Sequence, residues 1–256
     1  MMTFAVPRDR KFVLDWRPRS GIECLYRQRF EGFLMLKIEN LLSPEELEGV
    51  LQITAEAGFE SGTRSASYRA VRIKNNVEIA AESDAAAEVG IIVLTAVERN
   101  ADITREIIPA KASAPLISCY RAGMGFGEHH DEPFSLVEPR IRRDLSMTLF
   151  LSDPSEYDGG ELVIQSEFGS SAIKMPRNGA VFYHAGKIHH VAKVTRGERL
   201  AVIGWFQSHI RDAEAREMVA DSLTIARRLH ELEPDGPHTN RAFKTWSNLM
   251  RHWAEN

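Results

Sequence analysis

Hydrophobic and polar residues along this chain follow two periods, and the switches between them mark its organisation. Residues 33–38, FLMLKI, form an apolar run of strand length. Ser43-Pro44-Glu45-Glu46 then reads as a helix start, with Ser43 as N-cap, Pro44 in the first helical position and Glu46 closing a capping box. A helix is predicted from about residue 44 to 57, ending before Gly58. Residues 68–74, YRAVRIK, predict a strand, and the Ala-rich stretch 84–98 predicts a second helix. After about residue 114 short strands take over: APLISCYRA, LSMTLFLS from Leu145, ELVIQ, KMP, AVFYH, IHHVAKV and LAVIGWFQS. Asp158-Gly159-Gly160, Arg177-Asn178-Gly179 and Arg196-Gly197 supply hairpin-type turns between them. Many short strands with such turns predict an antiparallel barrel or jelly roll rather than a parallel sheet. From Asp212 the period is helical again. EAREMVADSLTIARRLHEL and RAFKTWSNLMRHWAE, split by Pro234 and Pro237, predict two helices on the outside of the barrel. The expected organisation is a helix/strand support region at 1–113, a β core at 114–208 and C-terminal helices at 209–256.

Composition narrows the classes. Of 256 residues, 43% are hydrophobic, enough for a sizeable core, and the net charge of -4 offers no basic field for nucleic acid. Arg140, Arg142 and Arg143 are expected as solvated loop or strand-edge charges. Cys24 and Cys119 are too few for a disulfide framework or a Cys-based zinc site, which fits inert thiols in a reducing compartment. MMTFAVPRDRK has no apolar segment before its charges, and the run from Gly90 to Val97 is far short of the roughly 20 residues that span a bilayer. A soluble, cytoplasmic protein without nucleic-acid or membrane partners is the expectation.

The chemistry concentrates in GEHHDEPF, residues 127–134. On a strand, residues two apart share a face, so His129 and Asp131 can aim at one ion while His130 points away. His189, in KIHHV, is the candidate third ligand. Two histidines and one carboxylate leave three adjacent coordination positions open, the pattern of non-haem Fe(II) oxygenases. A structural zinc site would need a fourth protein ligand, and no cysteine is near in sequence. His130, His184 and His190 are read as lying outside the ligand set. Arg199 stands in an otherwise apolar strand. A three-residue loop or a bulge at Gly197 would turn it to the metal side, where an extended dicarboxylate could bridge ion and guanidinium. A cupin-like metal-dependent hydrolase or isomerase, which would not need Arg199, and a non-catalytic jelly-roll module both remain open at this point.

Further stretches carry a resemblance. Tyr120-Arg-Ala-Gly-Met124, His129-x-Asp131, Arg143 to Ser152 (RDLSMTLFLS), Tyr157-Asp-Gly-Gly-Glu-Leu162, His189-x-Val191, Val194 to Arg199 (VTRGER) and Trp205-Phe-Gln-Ser208-x-x-Arg211-Asp212 occur in order. Lys74-Asn-Asn76 precedes them and Asn248-Leu-Met-Arg-x-Trp253 follows. The chain thereby resembles the Fe(II)- and 2-oxoglutarate-dependent dioxygenases, specifically the bacterial PKHD-type hydroxylases of the prolyl 4-hydroxylase-like group, over roughly residues 40–256. The resemblance implies a double-stranded β-helix (jelly roll) core, Fe(II) held by His129, Asp131 and His189, and Arg199 anchoring the distal carboxylate of 2-oxoglutarate. It places Tyr120 and Thr148 beside that cosubstrate. It implies O2 as co-oxidant, ascorbate as reductant, and a small-molecule or peptidyl substrate. Hydroxylation is the expected outcome, with desaturation or cyclisation as the alternative, since Asp131 fills the position where related halogenases open a chloride site. The C-terminal helices offer an interface for a homodimer. His130 departs from the aliphatic residue common between the two ligands, and the polar stretch Ser61–Ser67 is a candidate for meeting substrate.

Overall fold

The computed structural model describes residues 29–30, 33–135, 140–167 and 169–255. In chain order the strands and helices are β1 (Arg29–Phe30), β2 (Phe33–Leu34), β3 (Leu36–Ile38), α1 (Pro44–Glu56), β4 (Phe59–Ser61), β5 (Lys74–Asn75), β6 (Val77–Ile79), α2 (Asp84–Arg99), α3 (Ala101–Ile107), β7 (Pro109–Ala112), β8 (Leu116–Arg121), β9 (Gly125–His129), β10 (Leu145–Phe150), β11 (Leu162–Ser166), β12 (Gly169–Ile173), β13 (Ala180–His184), β14 (His189–Val191), β15 (Glu198–Ser208), α4 (Ala213–Leu232) and α5 (Pro237–Trp253). The capping box at Ser43 forms as its sequence requires, with Glu46 reaching back to the Ser43 amide. Asn100 ends α2 and caps α3, accepting from the amides of Asp102 and Ile103. The short helix α3 has no clear sequence signal, since its few residues carry little periodicity.

Two antiparallel sheets make the double-stranded β-helix. One runs β3-β13-β10-β15-β8-β6-β4, with β7 also paired to β15; the other runs β12-β11-β14-β9-β5. β10 shows how the sequence sorts its two faces. Leu145, Met147 and Leu149 join the cluster under α1, α2 and α3, whereas Phe150 packs with Leu162, Ile164 and Ile173 of the opposing sheet. Ser146 and Thr148 share that inward face with Phe150 and are fully buried. β15 alternates likewise: Val202 and Phe206 pack toward the helices, and Arg199, Ile203 and Trp205 line the space between the sheets. Helices α4 and α5 form a separate layer around Ile108, Ile210, Ala215 and Val219. Among the described residues no helix is long and apolar enough to cross a membrane.

Three expectations are corrected. Residues 68–74 are not a strand: a 3-10 turn at Ala70–Arg72 precedes the two-residue β5, and Tyr68, Val71 and Ile73 stay exposed. Their alternation had no partner strand to satisfy it. KMP, residues 174–176, follows β12 as a loop, with the Lys174 ammonium donating to the Tyr157 carbonyl at 2.7 Å. The third correction concerns Arg199. β14 and β15 do not pair as a hairpin across Arg196-Gly197; they lie in different sheets, and Arg199 sits opposite Tyr120 on β8.

Candidate metal centre and cavity

His129 and His189 face each other across neighbouring strands, since β14 pairs with β9 at this register. Their ring centroids are 4.3 Å apart. Asp131 lies beyond the end of β9. Its amide donates to the Ala185 carbonyl at 3.1 Å, and Ser146 donates to its Oδ2. Its other oxygen, Oδ1, lies 4.0 Å from His189 Nε2. One nitrogen or oxygen from each of the three residues falls within 4.8 Å of the others.

Both imidazoles are oriented from behind. His129 Nδ1 bonds the Gly127 carbonyl at 2.8 Å, and His189 Nδ1 bonds the Lys187 carbonyl at 2.9 Å. A carbonyl only accepts, so each Nδ1 carries the proton and each Nε2 keeps its lone pair for a metal. Phe126 stacks on the His129 ring at 3.7 Å. Burial, reinforced by the neighbouring His189, pushes the His129 imidazole down to about 4, so it stays neutral and ligand-competent at neutral pH. His130 is exposed, and His184 is engaged by the Gly186 amide; neither belongs to the cluster, nor does His190.

The cluster opens into a cavity of about 380 Å³ between the sheets. Arg199 closes its inner end. It is 1% exposed, its Nε has no hydrogen-bond partner, and no carboxylate pairs with it among the described residues. The guanidinium rests instead on the rings of Phe150 and Tyr120, at 5.1 and 5.3 Å. Leaving a buried cation unpaired costs several kcal/mol, roughly, which an anion arriving from outside could offset. Tyr120 lines the same end, its phenol pushed up to about 12 by burial. Thr148 lines it too, in hydrogen-bonding contact with Tyr183. Tyr183 packs edge-on against His189 at 5.1 Å and feels the charges of both Asp131 and Arg199, so it stands between metal cluster and anion pocket. Burial raises its phenol well above the ordinary range.

Residues that the sequence pattern does not single out line the other end. Arg143 stacks over Trp205 at 4.0 Å, and Arg143 Nε, Trp205 Nε1 and the Ser113 hydroxyl are buried without partners. The expectation that Arg143 is a solvated charge is therefore wrong: adjacent residues diverge, so Arg142 pairs with Asp144 and Glu255 while Arg143 turns into the cavity. From Arg199 to Trp205 the cavity follows six residues of β15, roughly 20 Å of strand. Cys119 is buried with its thiol raised to about 11, chiefly by burial, which makes it inert at neutral pH. Cys24 lies outside the described residues.

Comparison with known proteins agrees with this geometry. Residues 115–207 match the family model of the 2OG-Fe(II) oxygenase superfamily. A PKHD-type hydroxylase of Saccharophagus degradans is 37% identical over 225 residues, covering 87% of this chain and all of that protein. One from Synechococcus sp. (strain JA-2-3B'a(2-13)) is 38% identical over 223 residues, with the same coverage. Among solved structures, a Pseudomonas putida prolyl-4-hydroxylase superposes with a TM-score of 0.50 at 17% identity, over 68% of this chain and 92% of that one, a likeness of fold. A donor set of two imidazoles and one carboxylate, joined to a buried anion pocket, on a chain so similar to these relatives over most of its length, makes the protein a member of the PKHD-type hydroxylases, within the iron(II)- and 2-oxoglutarate-dependent dioxygenases.

Proposed function

We propose that His129 and His189 bind Fe(II) through Nε2 and Asp131 through Oδ1, and that Arg199 receives the distal carboxylate of 2-oxoglutarate. The observation that carries this reading is the buried, unpaired Arg199 guanidinium in the same cavity as three convergent metal-competent atoms. When bound, the iron and 2-oxoglutarate supply oxidative chemistry with O2 that acts on an unactivated C–H bond. The protein's share is placement. Ser146 holds Asp131 by one oxygen, so the carboxylate presents the other to the metal. Tyr120 and Phe150 pack the Arg199 side chain so that its nitrogens face the cosubstrate, and Thr148 and Tyr183 wall the space between anchor and metal. Arg143, Trp205 and Ser113, with unmatched polar atoms at the far end, meet the prime substrate. An amino-acid-like or peptidyl substrate fits these groups and is hydroxylated with release of succinate and CO2.

Ascorbate serves as reductant for the iron, and the protein works in the cytoplasm as a homodimer through its C-terminal helices, without nucleic-acid or membrane partners. Residues 1–113 act as support, 114–208 as the catalytic core and 209–256 as a buttress. Desaturation or cyclisation would use the same residues, and the product's mass change separates these from oxygen insertion. The test of the cofactor assignment is anaerobic titration of apo-protein with Fe(II) and 2-oxoglutarate. A metal-to-ligand charge-transfer band should form in the intact protein and be lost in Asp131→Ala; no band in the intact protein would sink the assignment.

A further inference from the structure

The cavity wall also carries a buried ion pair that the chemistry above does not use. Lys74 and Glu78 lie 2.6 Å apart, with both side chains 5% exposed. They are four residues apart in sequence but sit on different sheets. Lys74 is on β5, paired with Phe126 of β9, the strand that carries His129. Glu78 is on β6, paired with Ser118 of β8, the strand that carries Tyr120. The pair therefore spans the gap between the sheets.

Ser65 ties both partners to one neighbouring segment. The Lys74 ammonium donates to Ser65 Oγ at 2.6 Å, and the Ser65 hydroxyl donates to Glu78 Oε2 at 2.5 Å. Asn76 stands between them, donating to Glu78 Oε1 at 2.9 Å, while its carbonyl accepts from the Gly62 amide at 3.0 Å. Gly62 fits against Asn76 only because it has no side chain: a Cβ there would lie 1.9 Å from Asn76 Oδ1. At its far end the segment is held by the Ile73 carbonyl, which accepts from the Gly127 amide at 2.9 Å. Between these ties, Ala66, Ser67 and Ala70 face the cavity while Tyr68 is 84% exposed. Residues 62–73 are thus a wall with little core beneath it, fastened by polar contacts.

A buried ion pair is seldom a net gain in stability over apolar side chains of the same volume, so its use here lies in what it fastens. We propose that Lys74 and Glu78 form a latch that holds residues 62–73 as the selecting wall of the substrate cavity. They are positioning residues: they set where Ala66, Ser67 and Ala70 stand against a substrate bound at the metal. The proposal rests on the cavity being the substrate site, as argued above.

The test compares wild type, Lys74→Met and Lys74→Met/Glu78→Leu. Lys74→Met leaves Glu78 buried without its cation, and should speed hydrogen exchange in residues 62–73 by about tenfold or more while strands β10 and β15 keep their protection. The double variant removes both charges and should regain thermal stability, yet Ser65 still lacks its partners, so exchange in 62–73 should stay fast. For any compound of an amino-acid and peptide panel that wild type oxidises, both variants should raise KM about tenfold with kcat within about threefold. The Fe(II)–2-oxoglutarate charge-transfer band should form in all three proteins. Slow exchange restored in the double variant, an exchange increase spread over the whole protein, an unchanged KM, or a band lost from the variants would each overturn the latch. Absence of the band from wild type would instead overturn the cofactor assignment, and the exchange comparison would still decide whether the latch exists.

Discussion

At the scale of single residues, Arg199 gives the sharpest expectation. Its guanidinium is buried with no carboxylate partner among the described residues, so the apo-protein carries an uncompensated charge. Arg199→Leu should therefore raise the melting temperature of the apo-protein while weakening 2-oxoglutarate binding. Loss of a buried charge-assisted contact costs about 3 kcal/mol, on the order of a hundredfold in affinity. Titration of the charge-transfer band measures the second effect and thermal melting the first; an unchanged cosubstrate affinity would refute the anchor role. Arg199 was visible in the sequence because a lone arginine among apolar strand residues needs a partner. Arg143 was not, because three arginines within four positions look like one solvated patch, and it lies before β10, where the path of the chain rather than strand alternation turns it inward. His129 and Asp131 were legible through strand parity, but parity accounts for only half of their convergence. β9 ends at His129, and what brings Asp131 round is its amide bond to Ala185 and the Ser146 hydroxyl, neither of which spacing reveals.

At the scale of elements, turn chemistry and strand periods were readable, while strand partnership was not. The Arg196-Gly197 turn looked like a hairpin between the strands of His189 and Arg199, yet it carries the chain from one sheet to the other. A turn signal fixes a local bend; which strands then pair depends on burial on both faces, and that is decided by distant parts of the chain. The Asp158-Gly159-Gly160 turn shows what such a bend can do for the site. Gly160 has φ +69, and a Cβ there would lie 3.0 Å from the Tyr157 ring and 3.1 Å from Arg199 Cδ. Gly160→Ala would thus strain the turn and press on Arg199, the proposed anchor of the cosubstrate. We expect about a tenfold loss of 2-oxoglutarate affinity with Fe(II) affinity kept. Equal loss of both affinities, measured by calorimetry, would mean that the turn supports the fold at large rather than the anchor.

At the scale of the molecule, the site is a joint between two sheets. His129 and His189 come from the five-stranded sheet, whereas Arg199 and Tyr120 come from the larger one, and Asp131 is fastened to the larger sheet through Ser146. Metal and cosubstrate together would tie the sheets at the very place where His129 and His189 crowd each other and Arg199 lacks a counter-charge. Ligand that binds only the folded state stabilises by mass action, about 2.7 kcal/mol at a hundred times its dissociation constant. For a chain of this size each kcal/mol shifts the melting temperature by roughly 2–4 °C, so redox-inert Mn(II) with 2-oxoglutarate should raise it by about 5–10 °C. The two ligands should also act in concert, because each fixes the sheet that the other leaves free: the shift with both should exceed the sum of the separate shifts. In Arg199→Leu the metal's own shift should remain and the added shift from 2-oxoglutarate should disappear. Strictly additive shifts in wild type would mean that metal and anchor pockets are independent, and that the sheets are already locked by their packing around Phe150, Leu162 and Tyr183.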